Sequence, residues 1–319
     1  MLILRVVAIF GVLAVYASAA TSSRPSAERT IDFTYSVSIP GLESSDDVEL
    51  WLPMPIESQF QRVSELRIDA KMTYEIVEEN VHGNYFVRFT GIAEELSGQR
   101  VKLAFRVTRR AIRGGYEPDE PTALYMEPDS YVPISGIVAE RAARVAPELE
   151  DSMAVARALY DDVVSNLDYD KSGTGWGLGD AVYACTAERG NCTDFHSLFI
   201  AMCRARGIPA RFTIGFPLPV RESEGLIAGY HCWAEFYVEG RGWIPVDASE
   251  ASKNPDRTEF YFGSLDPDRV EFTRGRDLVL PGHTDLASRN YFIYPLLLVD
   301  GIERDGMGTS LEFSDVAGK

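Results

Sequence analysis

Gly190-Asn-Cys192-Thr-Asp-Phe195-His196-Ser-Leu198-Phe199-Ile-Ala-Met202-Cys203-Arg-Ala-Arg-Gly207-Ile-Pro209-Ala-Arg211 is the stretch on which the reading of this chain turns. Phe195, Leu198, Phe199 and Met202 recur at i, i+3, i+4 and i+7, the spacing of one apolar helical face, and Gly207 with Pro209 marks its end. Cys192 therefore stands at a helix start. There the unpaired N–H groups and the positive end of the helix dipole favour a thiolate. A single cysteine is more often a small core residue than a nucleophile. What changes its meaning is the sequence downstream: Tyr230-His231-Cys232-Trp233-Ala-Glu-Phe-Tyr237, then Gly242-Trp-Ile-Pro-Val-Asp247-Ala-Ser249. A nucleophile, a base and an orienting carboxylate follow in that order.

Both downstream segments are rich in aromatic and β-branched residues, and Glu239-Gly-Arg-Gly242 joins them as a hairpin. The hairpin carries a parity condition. For Asp247 to hold His231 they must share a face, so Asp247 must lie opposite an odd-numbered residue, His231 or Trp233. A two-residue turn at Gly240-Arg241 would pair Asp247 with Ala234, on the wrong face. An odd-length loop or a bulge is required, and Gly240 or Gly242 in the left-handed conformation suits it.

Upstream, the signals from about Arg29 to Arg110 are all β. Ile31-Phe33-Tyr35-Val37, Val48-Leu50-Leu52, Tyr85-Val87-Phe89 and Val101-Leu103-Phe105-Val107 each alternate with polar residues. They predict a small antiparallel sandwich over 27–112 with a hairpin loop at 80–84, where His82 is expected to be solvated. Gly114-Gly115, Pro118 and Pro121 mark a linker over 113–130. Helices are expected over 136–145 and 151–166, and a short one capped by Asp180 leads into Cys192. The glycine-rich run from Lys171 to Gly179 lacks the Gly-Lys-Ser/Thr of a phosphate loop, and reads as a mobile loop with Trp176 as one wall of the site. Past the central helix, 211–215 reads as a strand and 216–229 as a long, substrate-selecting loop ending beside His231. Strands at 260–263 and 290–299 are expected to pack on the hairpin, closing a catalytic domain over 131–301, with 302–319 as a peripheral tail.

The first residues read as a secretory signal peptide over 1–19. Arg5 precedes an apolar run from Val6 to Tyr16, shorter than the ~20 residues a membrane span needs, and Ala17-Ser18-Ala19 supplies a cleavage site. A soluble exported protein, periplasmic or secreted and without a membrane span after cleavage, is the expectation. The formal charge is −17, with lysines and arginines scattered and no basic stripe, so nucleic acid is excluded as a partner. The acidity leans weakly toward cationic substrates. Of the four cysteines, at most one pair could bridge if Cys192 stays free, which favours buried, reduced thiols.

Gly-Asn-Cys192-Thr-Asp-Phe-His, Arg-Ala-Arg-Gly-Ile-Pro-Ala-Arg211, His231-Cys-Trp-Ala-Glu-Phe and Trp-Ile-Pro-Val-Asp247-Ala-Ser together resemble the bacterial transglutaminase-like family of candidate cysteine proteases, over roughly residues 130–300. The resemblance implies an α+β, papain-like core with Cys192 as nucleophile, His231 as general acid/base and Asp247 as orienting group. It implies thiol-dependent acyl transfer on a peptide or protein amide, ending in hydrolysis or transamidation, with no cofactor. The Cys192 N–H is one oxyanion donor; Trp176 and Trp233 are candidates for a second donor or a substrate contact. His196, His231 and Cys232 could be written as a metal site, but adjacent strand residues point to opposite faces, so no metal is expected. His196 reads as a packed support of the helix. Two competing classes are a non-catalytic envelope module binding peptide or glycan, and an adhesion protein using the sandwich.

Overall fold

The computed structural model describes residues 27–42, 47–117 and 122–316. The expected signal peptide, Pro118, Pro121 and the last three residues lie outside them.

The alternating segments form strands: β1 (Glu28–Ser38), β2 (Asp47–Pro53), β3 (Gln61–Asp69), β4 (Thr73–Glu79), β5 (Asn84–Ile92) and β6 (Arg100–Arg110). Next come helices α1 (Ile137–Val145), α2 (Ser152–Asn166), α3 (Ala181–Ala187) and α4 (Cys192–Ala205). The chain continues with β7 (Ala210–Pro217), β8 (His231–Val238), β9 (Gly242–Val246), the short helix α5 (Ala248–Lys253) and β10 (Arg269–Arg274). Three further strands, β11 (Leu296–Val299), β12 (Ile302–Arg304) and β13 (Gly308–Asp315), end the described chain.

Two five-stranded antiparallel sheets make the sandwich, and neither is built from the N-terminal half alone. One runs Glu224–Leu226, β13, β1, β6, β3; the other runs β12, β11, β2, β5, β4. Phe33, Val37 and Leu103 of the first sheet and Leu50, Leu52 and Phe89 of the second are buried in the same core. This corrects two expectations. Residues 302–319 are not a peripheral tail: β13 pairs with β1 from Ile31↔Asp315 to Ser38↔Gly308. Residues 290–299 do not pack on the hairpin, since β11 pairs with β2. Their partners lie more than 240 residues away in the chain, beyond the reach of local patterning.

The core sheet runs β9, β8, β7, β10, with α4 packed on it. Every residue of α4 from Cys192 to Arg204 is buried, because the sheet lies on one side and α1, α2 and α3 cover the others. The 260–263 segment does pack on the hairpin, through an antiparallel bridge of Phe262 to Val246, but it enters as a short helix, Thr258–Tyr261, rather than as a full strand. β10 is an edge strand whose free backbone groups are satisfied from the sandwich. The Gln61 amide exchanges hydrogen bonds with the Glu271 N–H and C=O (2.8 and 2.7 Å), and Asn84 does the same for Arg274 (2.8 Å each). His82 is not solvated but stacks on the Gly275 backbone, where any Cβ would meet its ring, and shares a 3.3 Å hydrogen bond with Tyr125.

Candidate active site

The sequence places Cys192 at the first turn of α4 through a capping box. Asn191 Oδ1 accepts the Thr193 N–H (2.9 Å), and Asp194 Oδ2 accepts the Asn191 N–H (2.9 Å). Asp194 also receives the N–H groups of Gly177 (2.7 Å) and Gly179 (3.0 Å), so the glycine-rich loop is tied to the mouth of the nucleophile helix. Gly190 is required here, because a Cβ on it would lie 2.4 Å from the Asp194 carboxylate. Nothing in the sequence pattern distinguishes this carboxylate from a solvated first-turn acid.

The β8–β9 connection is a three-residue loop, Glu239 to Arg241, with Gly240 and Gly242 both at positive φ. Its odd length pairs Ala234 with Val246, which puts Asp247 opposite Trp233 and diagonal to His231. The Asp247 carboxylate receives His231 Nε2–H at 2.7 Å. The other imidazole nitrogen is left for Cys192, whose charge is among the influences that raise the His231 pKa. Asp247 also caps α5: its Oδ1 accepts the Glu250 N–H (3.0 Å) and the Ser249 hydroxyl (3.2 Å). Arg269 Nη1 donates to Oδ2 at 2.9 Å. Sequence reasoning missed Arg269, because an arginine opening Arg-Val-Glu-Phe-Thr-Arg reads as one end of an alternating, half-solvated strand, whereas all six residues are buried.

These contacts set the protonation states. The neighbouring Cys232 is the largest influence on the Cys192 thiol and lowers its pKa; burial opposes this, and His231 lowers it further, to well below the ordinary thiol value. Burial alone would lower the pKa of His231, but the Asp247 carboxylate and Cys192 outweigh it and raise the pKa to about 10. Burial would raise Asp247, yet His231 and Arg269 hold it well below the usual carboxylate range. Both directions favour a thiolate beside an imidazolium.

A cleft of about 530 Å³ opens onto His231. One wall is the expected 216–229 loop, with Leu218, Val220 and Leu226 contributing apolar surface; Tyr169 and Tyr230 form another part. Tyr230 accepts the Asn191 amide (3.0 Å). The ammonium groups of Lys171 and Lys253 lie 5.6 and 4.4 Å from the Tyr169 ring, and Lys253 pairs with Glu250. The rim thus holds two cations and one anion, so the expected lean toward cationic substrates has no basis at the cleft.

The two tryptophan candidates are not brought to the nucleophile. Trp176 Nε1 donates within its own loop to Gly173 O (3.2 Å). Trp233 is fully buried between Arg109 and Arg269, where it backs the triad instead of lining the cleft. All four cysteines are free thiols. Among the described residues, no group of three His, Cys, Asp or Glu side chains converges as a metal site.

Residues 139–248, the segment that holds Cys192, His231 and Asp247, match the Transglutaminase-like superfamily core model. This chain carries a transglutaminase-like core. The core's family is one of thiol-dependent enzymes, and the fold is α+β, a papain-like core beside a β-sandwich. An uncharacterized protein of Haemophilus influenzae is 27% identical over 314 residues, covering 84% of this chain and 85% of its own length. A crystal structure of a candidate cysteine protease from Cytophaga hutchinsonii superposes with a TM-score of 0.60 over 92% of this chain and 91% of its own, at 18% identity. At that identity the likeness is one of fold. It extends well beyond the transglutaminase-like core into the sandwich.

Proposed function

We propose that the protein catalyses thiol-dependent acyl transfer on amide bonds of peptides or proteins through Cys192, His231 and Asp247. The observation that carries the reading is the 2.7 Å bond from His231 Nε2 to Asp247, in a core where Cys192 opens the buried helix α4. The thiolate attacks the amide carbonyl, and the Cys192 N–H, at the helix mouth, receives the developing oxyanion. His231, charged at rest, gives its proton to the departing amine, leaving a thioester on Cys192. Asp247 holds the imidazole in the required tautomer and balances its charge, while Arg269 and the α5 N–H groups fix the carboxylate. Water completes a hydrolase cycle; an amine completes a transamidation.

Export as a periplasmic or secreted protein is part of this reading and rests on the N-terminal sequence pattern. The test is brief iodoacetamide treatment at neutral pH with mass mapping, followed by digestion of a peptide library. Cys192 should alkylate faster than Cys185, Cys203 and Cys232, and Cys192→Ser should abolish cleavage and thioester formation. Labelling of Cys192 no faster than the other thiols would defeat the enzyme reading in favour of a non-catalytic envelope module.

A further inference from the structure

One edge of the sandwich runs into the cleft with backbone groups that the fold does not use. The Glu224–Leu226 strand ends its sheet and pairs only with β13, in the register Glu224↔Ser314, Gly225↔Phe313 and Leu226↔Glu312. The hydrogen bonds on either side fix which groups face β13: the Asp315 N–H donates to the Ser223 C=O at 2.6 Å, and the Ile227 N–H to the Leu311 C=O at 2.9 Å. Bonded pairs alternate along an antiparallel ladder, so Ser223, Gly225 and Ile227 turn to β13. The N–H and C=O groups of Glu224 and Leu226 turn the other way, and among the described residues no hydrogen bond takes them up. Leu226 also joins two hollows. It lines the cleft that opens onto His231 and a second hollow of about 480 Å³ over the sheet edge, shared with Glu224 and Glu312. At 70% exposure it is, with Val220, one of the two most exposed large apolar residues among those described. Glu312 lies directly opposite Leu226, and Glu224 is on the same face two residues before it. Neither glutamate has an ion pair among the described residues, whereas Asp32 on that face is held by Arg106 at 2.7 Å.

We propose that this edge receives an extended peptide, the substrate of the acyl-transfer reaction, as an added strand, with a lysine or arginine of the peptide laid over Leu226 and its charge between Glu224 and Glu312. The proposal rests on the acyl-transfer reading and names its substrate class, an unfolded basic segment. The outward N–H and C=O groups of Glu224 and Leu226 supply the main-chain bonds that an added strand needs, whatever its sequence. Selection comes from the side chains. A long basic side chain covers apolar surface with its stem and keeps its charged end in water, which is what Leu226 between two carboxylates offers. An aliphatic side chain would cover Leu226 but leave the glutamates unpaired, and an acidic one would be repelled. The acidity missing from the cleft rim is thus found at this edge. Continuity with the cleft sets the distance. Leu226 and His231 are five residues apart in the chain. That is at most about 17 Å of extended backbone, so the basic residue lies within about five positions of the reacting amide.

The test is fluorescence anisotropy of a labelled decapeptide of alternating lysine and valine, added to the full chain carrying Cys192→Ala so that the probe is not consumed. The probe should bind, and the same peptide with glutamate in place of lysine should bind about tenfold more weakly. N-methylating the probe's amides removes its donors to the Glu224 and Leu226 carbonyls, and should also cost about tenfold. On the protein, Leu226→Pro removes an outward N–H while sparing every bond to β13. It should weaken binding more than Leu226→Ala, which loses the same side chain but keeps the N–H; thermal unfolding checks that both fold. If Leu226→Pro does not fold, the methylated probe puts the same question without altering the protein. Glu224→Gln combined with Glu312→Gln should erase the preference for lysine over glutamate. Equal binding of the lysine and glutamate probes, or of the methylated and unmethylated ones, would overturn the proposal. So would a dimer of the protein that Leu226→Pro dissociates, which would give the edge to a second copy. Slow alkylation of Cys192 in the wild type, with the probe still bound to Cys192→Ala, would instead remove the acyl-transfer reading and with it the substrate role, leaving a peptide-binding edge.

Discussion

Replacing Asp247 by asparagine isolates the carboxylate's charge from its shape. The side chain still accepts a hydrogen bond from His231 and can still cap α5, but it no longer balances an imidazolium. Two routes give the size of the effect. His231 sits at about 10 against an ordinary 6.5, a difference worth roughly 5 kcal/mol at 1.36 kcal/mol per pH unit. A unit charge pair at the 2.7 Å separation, in an effective dielectric of about 20, gives roughly 6 kcal/mol. Both are upper bounds, because the amide dipole and entering water recover part of the loss. Half of the smaller value, about 2.5 kcal/mol, corresponds to a fall on the order of 70-fold in the imidazolium–thiolate population relative to the neutral pair. The alkaline limit of turnover should move from near pH 10 toward neutrality, and Cys192 alkylation at pH 7 should slow together with turnover. The assay is a paired pH profile of turnover and alkylation for wild type and Asp247→Asn. Arg269 keeps Asp266 at 3.3 Å, so the variant should fold with a lowered unfolding temperature. An unchanged alkaline limb in a folded Asp247→Asn protein would refute the assignment of Asp247 as the charge partner of His231.

Four further outcomes are expected. Turnover of the wild type should form a plateau that falls on the acid side as Cys192 is protonated and on the alkaline side near pH 10 as His231 loses its proton; because the folded pKa of His231 is raised, its stabilising contribution is likewise complete below 6.5 and lost through about 10, which pH-dependent unfolding reads. Gly242→Ala places a Cβ 1.9 Å from the Tyr116 carbonyl at a φ of +76°, so it should destabilise by more than about 2 kcal/mol and disturb the Asp247 register, measured by denaturant unfolding and turnover. Truncation after Gly301 deletes the eight-residue β13 and the buried Leu311 and Phe313, and should give an aggregating product by size-exclusion chromatography. N-terminal sequencing of the mature protein should show cleavage near Ala19; an intact Met1 would contradict export.

The parts of the fold written in local periodicity were legible. The α4 span, the Asp151 and Asp180 caps, the β8–β9 hairpin and four of the sandwich strands follow from apolar spacing and turn residues close to one another in the chain. The parity condition on Asp247 was also local, since it depends only on loop length and strand alternation. What was not legible depends on partners distant in sequence. Nothing in Gly308–Asp315 says that it returns to β1, and nothing around Arg269 says that its guanidinium crosses to Asp247. His196 and Cys232 looked like isolated core residues because their 3.5 Å contact exists only once a helix and a strand meet. Trp233 misled for a simpler reason: it shares the strand face of His231, but the neighbouring Arg109 and Arg269 bury it beneath the site, which the local pattern does not show.

The return of β13 to β1 also governs the order in which the protein can be assembled. β1 is made first among the described strands and β13 last, so one edge of β1 has no partner until Gly308–Asp315 has been synthesised. The short strand Glu224–Leu226, beside the cleft, pairs only with β13. A chain released before β13 thus has the Cys192 helix and the hairpin but neither a closed sandwich nor a paired Glu224–Leu226 strand beside the cleft.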